Sequence, residues 1–261
     1  MGASDELEYA ALLDLHAAGA ELTAELGLQT KRIDNATISV GAVLPSSAIV
    51  VNRALVPAEA ARDADLLSEI AELYRLAEVE RFFLQMPPPG TLSDEALEFV
   101  GLAKARGWQK FRRGREAAEA RPTDLKVRQI GPEHGADFGR IVCAAFDLGP
   151  DAEPWLAKLP GRVGWHVFMS FEEDTPAGCG ALFVKDGKAW SDWGATDPAF
   201  RQRGSQSAVL AARINHAIEL GCDEIFTCTG EDVPGDPQHS YNNILRMGFV
   251  PAELRTNYQP A

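Results

Sequence analysis

Asp197-Pro198-Ala199-Phe200-Arg201-Gln202-Arg203-Gly204-Ser205-Gln206 is the stretch on which the reading of this chain turns. It lies between a strand-type run, residues 189–195, and a run with helical periodicity, residues 205–220, in which Leu210, Ile214 and Ile218 fall in register. A loop that opens a helix exposes unpaired backbone N–H groups at the positive end of the helix dipole. Gly204 allows close backbone approach, so a pyrophosphate suits the position. Arg201 and Arg203 add positive charge at its mouth. Neither GxxxxGK[ST] nor GxGxxG is present, which sets aside the ordinary nucleotide folds. Taken alone, an RxxG before a helix also reads as a structural turn.

The surroundings narrow the choice. Upstream, residues 125–130 form a strand, and Pro132 starts a helix with Phe138, Ile141, Val142 and Ala145 on one face. A shorter helical piece at 155–159 ends at Pro160-Gly161. Three strands follow at 165–170, 177–184 and 189–195, with Asp186-Gly187 as a hairpin turn. Downstream, Gly221 closes the long helix, residues 224–228 form a strand, and a helix over 238–247 ends in Gly248-Phe249.

This order, with Arg201 and Gly204 on the signature [RQ]xxGx[GA], resembles the GNAT superfamily of N-acetyltransferases over residues 125–260. The resemblance implies acetyl-CoA as cosubstrate, with no metal, and an amine acceptor. It puts the pyrophosphate on the backbone amides of Arg201, Gln202, Arg203, Gly204, Ser205 and Gln206. The pantetheine then lies along the strand ending near Thr196, where strands 189–195 and 224–228 splay apart. A backbone N–H near Ala195 or Thr196 polarises the thioester carbonyl, and Asn243 is the best match to the asparagine that faces the cofactor. Two departures stand out. Gln206 replaces a small residue and either crowds the pyrophosphate or points outward. Ile244 occupies the place of the tyrosine that protonates the leaving thiolate; Tyr241, one turn earlier, either substitutes for it or only packs. The base that the attacking amine needs is Asp192 or Glu231. Cys179 and Cys228 have no adjacent activating group, which favours direct transfer in a ternary complex over a covalent enzyme intermediate.

The first half has a similar rhythm. The pattern predicts a helix over residues 5–26 ending at Gly27, a strand at 48–51, a helix at 65–78 with Leu66, Ile70, Leu73 and Ala77 on one face, and a strand at 79–84. Pro87, Pro88, Pro89 and Gly90 break the chain before Ser93, the N-cap of a helix that carries Leu97 and Val100 and stops at Gly107. The spacing from Phe83 to Gly107-Trp108 echoes that from Phe226 to Gly248-Phe249, as in a diverged duplication. This half resembles a degenerate GNAT fold whose residues 57–63 lack RxxGxx, so no cofactor is expected there. The expected fold class is α/β (α+β): tandem GNAT-like domains, 1–124 and 125–261, each a mixed, largely antiparallel sheet flanked by helices.

Composition sets limits. The chain has 261 residues, 46% hydrophobic, with a formal net charge of −13, and no apolar run long enough to span a bilayer. The acidic start, Ser4-Asp5-Glu6, is unlike an export or import leader, so a cytoplasmic protein off the membrane is expected. Net negative charge disfavours nucleic acid and mildly favours a cationic small molecule. Cys143, Cys179, Cys222 and Cys228 lack metal-site spacing and read as reduced, buried thiols. Exposed strand edges make a homodimer one expected assembly. The competing reading from another class is a non-catalytic acyl-CoA-binding sensor, motivated by Ile244 and Gln206.

Overall fold

Residues 2–87 and 92–261 are described by the computed structural model, so the part of the expected break at Pro88, Pro89 and Gly90 lies outside the described residues. The chain opens with α1 (Ala3–His16) and α2 (Ala20–Glu25) in place of the single helix that residues 5–26 predict. The break falls at Gly19, a poor helix former, and Thr23 Oγ1 donates to the carbonyl of His16 at 2.6 Å to brace it. A hairpin absent from the sequence reading follows, β1 (Leu28–Ile33) and β2 (Ala36–Gly41), turned by Asp34 and Asn35 at positive φ. Residues 48–51 are turns, not a strand. They bury Ala48 and Val51 as plugs, and β3 (Arg53–Leu55) begins after them.

α3 (Ala64–Leu76) is capped by Asp63, whose carboxylate accepts from the N–H groups of Asp65 and Leu66, and it buries Leu66, Leu67, Ile70 and Tyr74. β4 (Phe83–Met86), α4 (Asp94–Phe99) and β5 (Leu102–Arg113) complete the first half. Ser93 Oγ accepts from the Ala96 N–H at 3.2 Å, so the expected N-cap is present. The helix ends at Gly101 rather than Gly107, because Gly101 takes φ +77 and residues 102–113 run on as a strand. Gly107-Trp108 therefore lies within a strand. The counterpart of Gly248, also at φ +77 after its helix, is Gly101.

The second half comprises β6 (Lys126–Ile130), α5 (Gly135–Phe146), α6 (Glu153–Leu156), β7 (Trp165–Glu172), β8 (Thr175–Lys185), β9 (Lys188–Thr196), α7 (Ser205–Glu219), β10 (Glu224–Gly230), α8 (His239–Arg246) and β11 (Val250–Pro260). All but β11 stand where the sequence pattern puts them. All the strands join one sheet in the order β1-β2-β3-β4-β11-β5-β10-β9-β8-β7-β6. β3 with β4 and β9 with β10 are parallel; the other neighbours are antiparallel. Each parallel pair is joined by a crossover helix, α3 in one half and α7 in the other, as parallel pairing requires. The mixed, largely antiparallel architecture expected from sequence is thus one continuous sheet. Its halves run outward from the centre in like order and exchange their last strands, with β5 against β10 and β11 against β4.

α1 turns Asp5 and Glu8 inward. They pair with Lys110 of β5, Arg53 of β3 and Arg255 of β11, all buried. Removing one partner from such a cluster strands a charge in a low-dielectric interior, so these groups hold the first helix and three strands in one arrangement.

Candidate active site

β9 and β10 run together only at their start. The ladder pairs Glu224 with Lys188, Ile225 with Ala189 and Phe226 with Trp190, and stops there, although β9 continues to Thr196 and β10 to Gly230. On its other edge β9 pairs Asp192 with Ala181 and Ala195 with Cys179, so Trp193 and Gly194 together stand opposite Gly180. This is a β-bulge, which bends the strand away from its neighbour. Trp193 sits at φ +53, a left-handed conformation that costs a bulky residue roughly 1–3 kcal/mol. Arg213 of α7 braces the bulge by donating to the carbonyls of Ala181 at 3.0 Å and Asp192 at 2.8 Å. Gly180 leaves it room, since a Cβ there would stand 2.6 Å from the guanidinium carbon. Beyond the bulge the Asp197 N–H reaches the Ala177 carbonyl at 2.9 Å. By alternation the Thr196 N–H turns the other way, toward the cleft.

Gly204 caps α7 at φ +84 and offers no side-chain acceptor, so the N–H groups of the first turn stay open. A groove of about 1310 Å³ lies before them, lined by Ala195, Thr196, Arg201, Gln202, Arg203, Gly204, Ser205, Gln206 and Asn243. All the residues that the family resemblance assigns to the cosubstrate are therefore brought together. Arg121 and Arg246 join Arg201 and Arg203 along the same groove. Four arginines and one carboxylate, Asp124, thus line one groove, a local excess of positive charge in a chain of net charge −13. Arg203 is braced by Asp124 and by Glu172 at 2.7 Å, whereas Arg201 and Arg246 have no ion-pair partner among the described residues.

A second, smaller chamber of about 230 Å³ opens where the strands part. It meets the groove at Phe146, Gly194, Gln206, Ser240 and Asn243, which line both. Gln206 thus neither points outward nor lies apart from the site. Asp192 faces the chamber, its carboxylate accepting from the Trp190 indole at 3.0 Å and the Trp193 N–H at 2.8 Å. Burial pushes its pKa above the usual carboxylate range, against the opposing pull of the Arg53 guanidinium. Cys228 also lines the chamber, and burial holds its thiol, like that of Cys179, far above the ordinary value.

Two residues singled out in the sequence are not brought to the cleft. The Glu231 carboxylate accepts from the Gly107 N–H at 3.0 Å, and the residue lines neither cavity. Tyr241 packs edge-on against Phe111, with ring centroids 5.0 Å apart, and also lines neither. Helix geometry gives the reason: each residue turns about 100°, so Ser240, Asn243 and Ile244 share the cleft face while Tyr241 is rotated toward β5. Conversely, sequence reasoning missed Arg246, which lies one turn beyond Asn243 and was legible by its spacing. It also missed Arg53 and Trp108, which line the chamber from the first half of the chain and carry no local signal.

The fold defined by this splayed, bulged sheet is that of the GCN5-related N-acetyltransferases. The chain is similar to a GCN5-related N-acetyltransferase from Kribbella flavida, with TM-score 0.61 and 14% identity over 94% of this chain and 95% of that one. It is similar to another from Sphaerobacter thermophilus, with TM-score 0.60 and 13% identity over 92% and 84%. A tandem GNAT protein from the clavulanic acid biosynthesis pathway matches with TM-score 0.54 and 14% identity over 98% and 94%. At such identities the likeness is one of fold, and it extends over both halves. No family model and no curated protein sequence matches the chain. Among the described residues no helix is long and apolar enough to cross a membrane, and no group of three or more His, Cys, Asp or Glu side chains is placed to hold a metal.

Proposed function

We propose that the protein transfers an acetyl group from acetyl-CoA to the primary amine of a small acceptor by direct attack in a ternary complex. The observation that carries this reading is the junction, at a bulged and splayed strand, between an arginine-lined groove at a helix N-terminus and a smaller chamber lined by Asp192. Acetyl-CoA supplies an acyl group activated as a thioester. The open N–H groups at the start of α7, with Arg201 and Arg246, bind its pyrophosphate. Asn243 and Gln206 orient the chain that enters the chamber, and the Thr196 N–H donates to the thioester carbonyl, where negative charge develops. Asp192 takes the proton from the amine, and the upward shift of its pKa by burial makes its carboxylate a stronger base. Cys179 and Cys228 stay protonated thiols, which supports direct transfer over an acyl-cysteine route. With Ile244 at the cleft and Tyr241 turned away, the departing thiolate takes its proton from water in the groove.

In this reading residues 125–261 form the catalytic unit, and residues 1–124 are a degenerate copy without a phosphate loop that supplies Arg53 and Trp108 to the chamber. The test is release of the CoA thiol from acetyl-CoA with a panel of primary amines. Amine-dependent release supports the enzyme. Binding of acetyl-CoA without release by any amine points instead to a sensor module, the reading that the missing hydroxyl at position 244 favours.

A further inference from the structure

The chamber sits in the gap between β9 and β10 and takes its walls from both faces of the sheet. On one face α1 and α5 pack over Trp190, Trp193 and Phe226; on the other α7 and α8 pack over Phe111, Ala189 and Ile225. Alternation along the strands assigns the lining residues to these faces. Asp192 lies two residues after Trp190, and Cys228 two after Phe226, so both belong to the α1 face, where Val50 and Phe146 also pack. Trp108 joins them, since it stands two residues before Lys110, whose ammonium meets Asp5 and Glu8 of α1. Thr227 and Thr229 alternate with these and share the opposite face with Leu210 and Ile244.

The two walls differ in chemistry. On the α7 and α8 face the lining side chains that keep accessible surface are Gln206, Thr229, Ser240 and Asn243, all amides or hydroxyls. That wall suits the pantetheine arm, which itself carries amide groups. On the α1 face they are Val50, Trp108, Phe146, Cys228 and Asp192, four apolar groups around a single carboxylate. Burial keeps the Cys228 thiol uncharged. Arg53, the other charged residue of this wall, is 5% exposed and donates to Glu8. Hydroxyls of an acceptor would lose their water against such a wall without gaining partners, whereas an apolar body gains by leaving water. The aromatic surfaces are held in place. The Arg53 guanidinium lies 5.0 Å from the Trp108 ring centroid, and Phe146 packs edge-on to Trp193 at 5.3 Å.

Charge narrows the acceptor further. Arg53, Lys110, Arg213 and Arg255 are buried around the chamber and set against Asp5, Glu8 and Asp192, which leaves one positive charge in excess. A second cation on the acceptor would meet that excess in a poorly screened interior, so a diamine is disfavoured. By the measure that gives a water roughly 10–15 Å³, the chamber's volume of about 230 Å³ is that of a small organic molecule.

We propose that the acceptor is an arylalkylamine, a monoamine on an aromatic body: the ring lies against Val50, Trp108 and Phe146, and the amine reaches Asp192. This rests on the acetyltransferase reading and narrows it. The ammonium gives one proton to Asp192, and its nitrogen then attacks the thioester carbon. The C–N bond forms as the C–S bond breaks, and the sulfur leaves with the bonding pair. The surplus proton on nitrogen passes through water to the CoA sulfur, and Asp192 returns its own to solvent.

The test uses the full chain with acetyl-CoA and two pairs of acceptors. 2-Phenylethylamine against glucosamine contrasts an aromatic body with a hydroxylated one, and pentylamine against cadaverine adds only the second cation. We expect kcat/KM for CoA release to be at least tenfold higher for the first member of each pair. With CoA, which has no acyl group to give, 2-phenylethylamine should raise the melting temperature further, and glucosamine and cadaverine should not. Trp108→Ala should raise KM for 2-phenylethylamine at least tenfold while acetyl-CoA still stabilises the protein to heat. Because Trp108 also packs on Phe83, Val50→Asn is the milder variant and should raise the same KM severalfold. Equal or better turnover of glucosamine or cadaverine overturns the proposal and leaves the acetyltransferase standing, as does an unchanged KM in both variants. Acetyl-CoA that binds without release by any of the four amines also overturns it, and no stabilisation by acetyl-CoA overturns both readings.

Discussion

Gly204→Glu separates a phosphate site from a mere turn. Residue 204 sits at φ +84, and a Cβ there would lie 3.2 Å from the Thr123 Cβ. Holding a non-glycine residue in the left-handed region costs roughly 1–2 kcal/mol. At about 2–4 °C per kcal/mol for a chain near this size, the free variant should melt roughly 2–8 °C below the wild type. The informative quantity is the further shift on adding ligand. Acetyl-CoA at about 100 times its dissociation constant stabilises the wild type by roughly 2.7 kcal/mol, or about 5–10 °C. In the variant the new carboxylate competes for the open N–H groups of α7 and repels the pyrophosphate, so this shift should nearly vanish. Gly204→Ala carries the backbone cost without the charge and should keep part of it. Thermal unfolding with and without acetyl-CoA reads each difference within one protein, so the intrinsic destabilisation cancels. A Gly204→Glu protein with the full wild-type shift would put the ligand elsewhere than the groove.

Four further outcomes follow from the geometry. Asp192→Asn should slow CoA release about 10²–10⁴-fold, the range of general-base catalysis. The wild-type rate should rise with pH through the raised Asp192 pKa, because only the ionised carboxylate accepts a proton, and the variant should lose that rise. Tyr241→Phe should leave CoA release unchanged, since the ring packs on Phe111 away from both cavities. Glu8→Gln should destabilise the fold by roughly 3–5 kcal/mol in chemical denaturation; it should also move the pH–rate rise to lower pH, because the Glu8 charge helps to raise the Asp192 pKa. His16 is buried, and its pKa is lowered to about 4, first by burial and then by Arg53. Below about pH 6.5 the unfolded chain therefore binds a proton that the folded chain refuses, and stability should fall by roughly 3 kcal/mol by pH 4. His16→Gln should remove that part of the acid sensitivity in pH-dependent denaturant titrations.

The second half was legible because each of its signals is local. The Asp186-Gly187 turn, at φ +50 and +71, needs only those two residues, and the Arg201 to Gln206 loop is defined by one glycine between a strand and a periodic helix. The first half was less so. Residues 102–113 contain enough Ala and Lys to extend a helical pattern, and only pairing with β10 and β11 makes them a strand. The site divides the same way. The nine groove residues named from the sequence lie on the loop, the strand before it and the α8 face, all within one sequence half, whereas Arg121 reaches the groove from the other. Arg53 and Trp108 reach the chamber through the strand exchange. Asp192 could be named but not oriented, because the bulge at Trp193 and Gly194 breaks the alternation that would have told its face.

The strand exchange also brings charged residues of the first helix to bear on a chamber they do not line. β5 lies against β10 with Trp108 opposite Gly230 and Lys110 opposite Cys228, so a strand of one half forms a wall of the chamber belonging to the other. That wall brings Lys110 close to the chamber, and β3 brings Arg53 into it. The Arg53 guanidinium pulls the Asp192 pKa down, against the base role proposed for it. Asp5 and Glu8 of α1 oppose these cations: Glu8 pairs with both Arg53 and Lys110, and Asp5 takes Lys110 and Arg255. Around the chamber four buried cations, Arg53, Lys110, Arg213 and Arg255, are set against Asp5, Glu8 and Asp192, so one positive charge is in excess even while Asp192 is ionised. In the proposed reading, a proton taken by Asp192 adds to that positive charge beside the chamber, which favours giving the proton back. In the proposed reading the first half thus acts as an electrostatic frame, because the Glu8 and Arg53 charges bear on the protonation of Asp192.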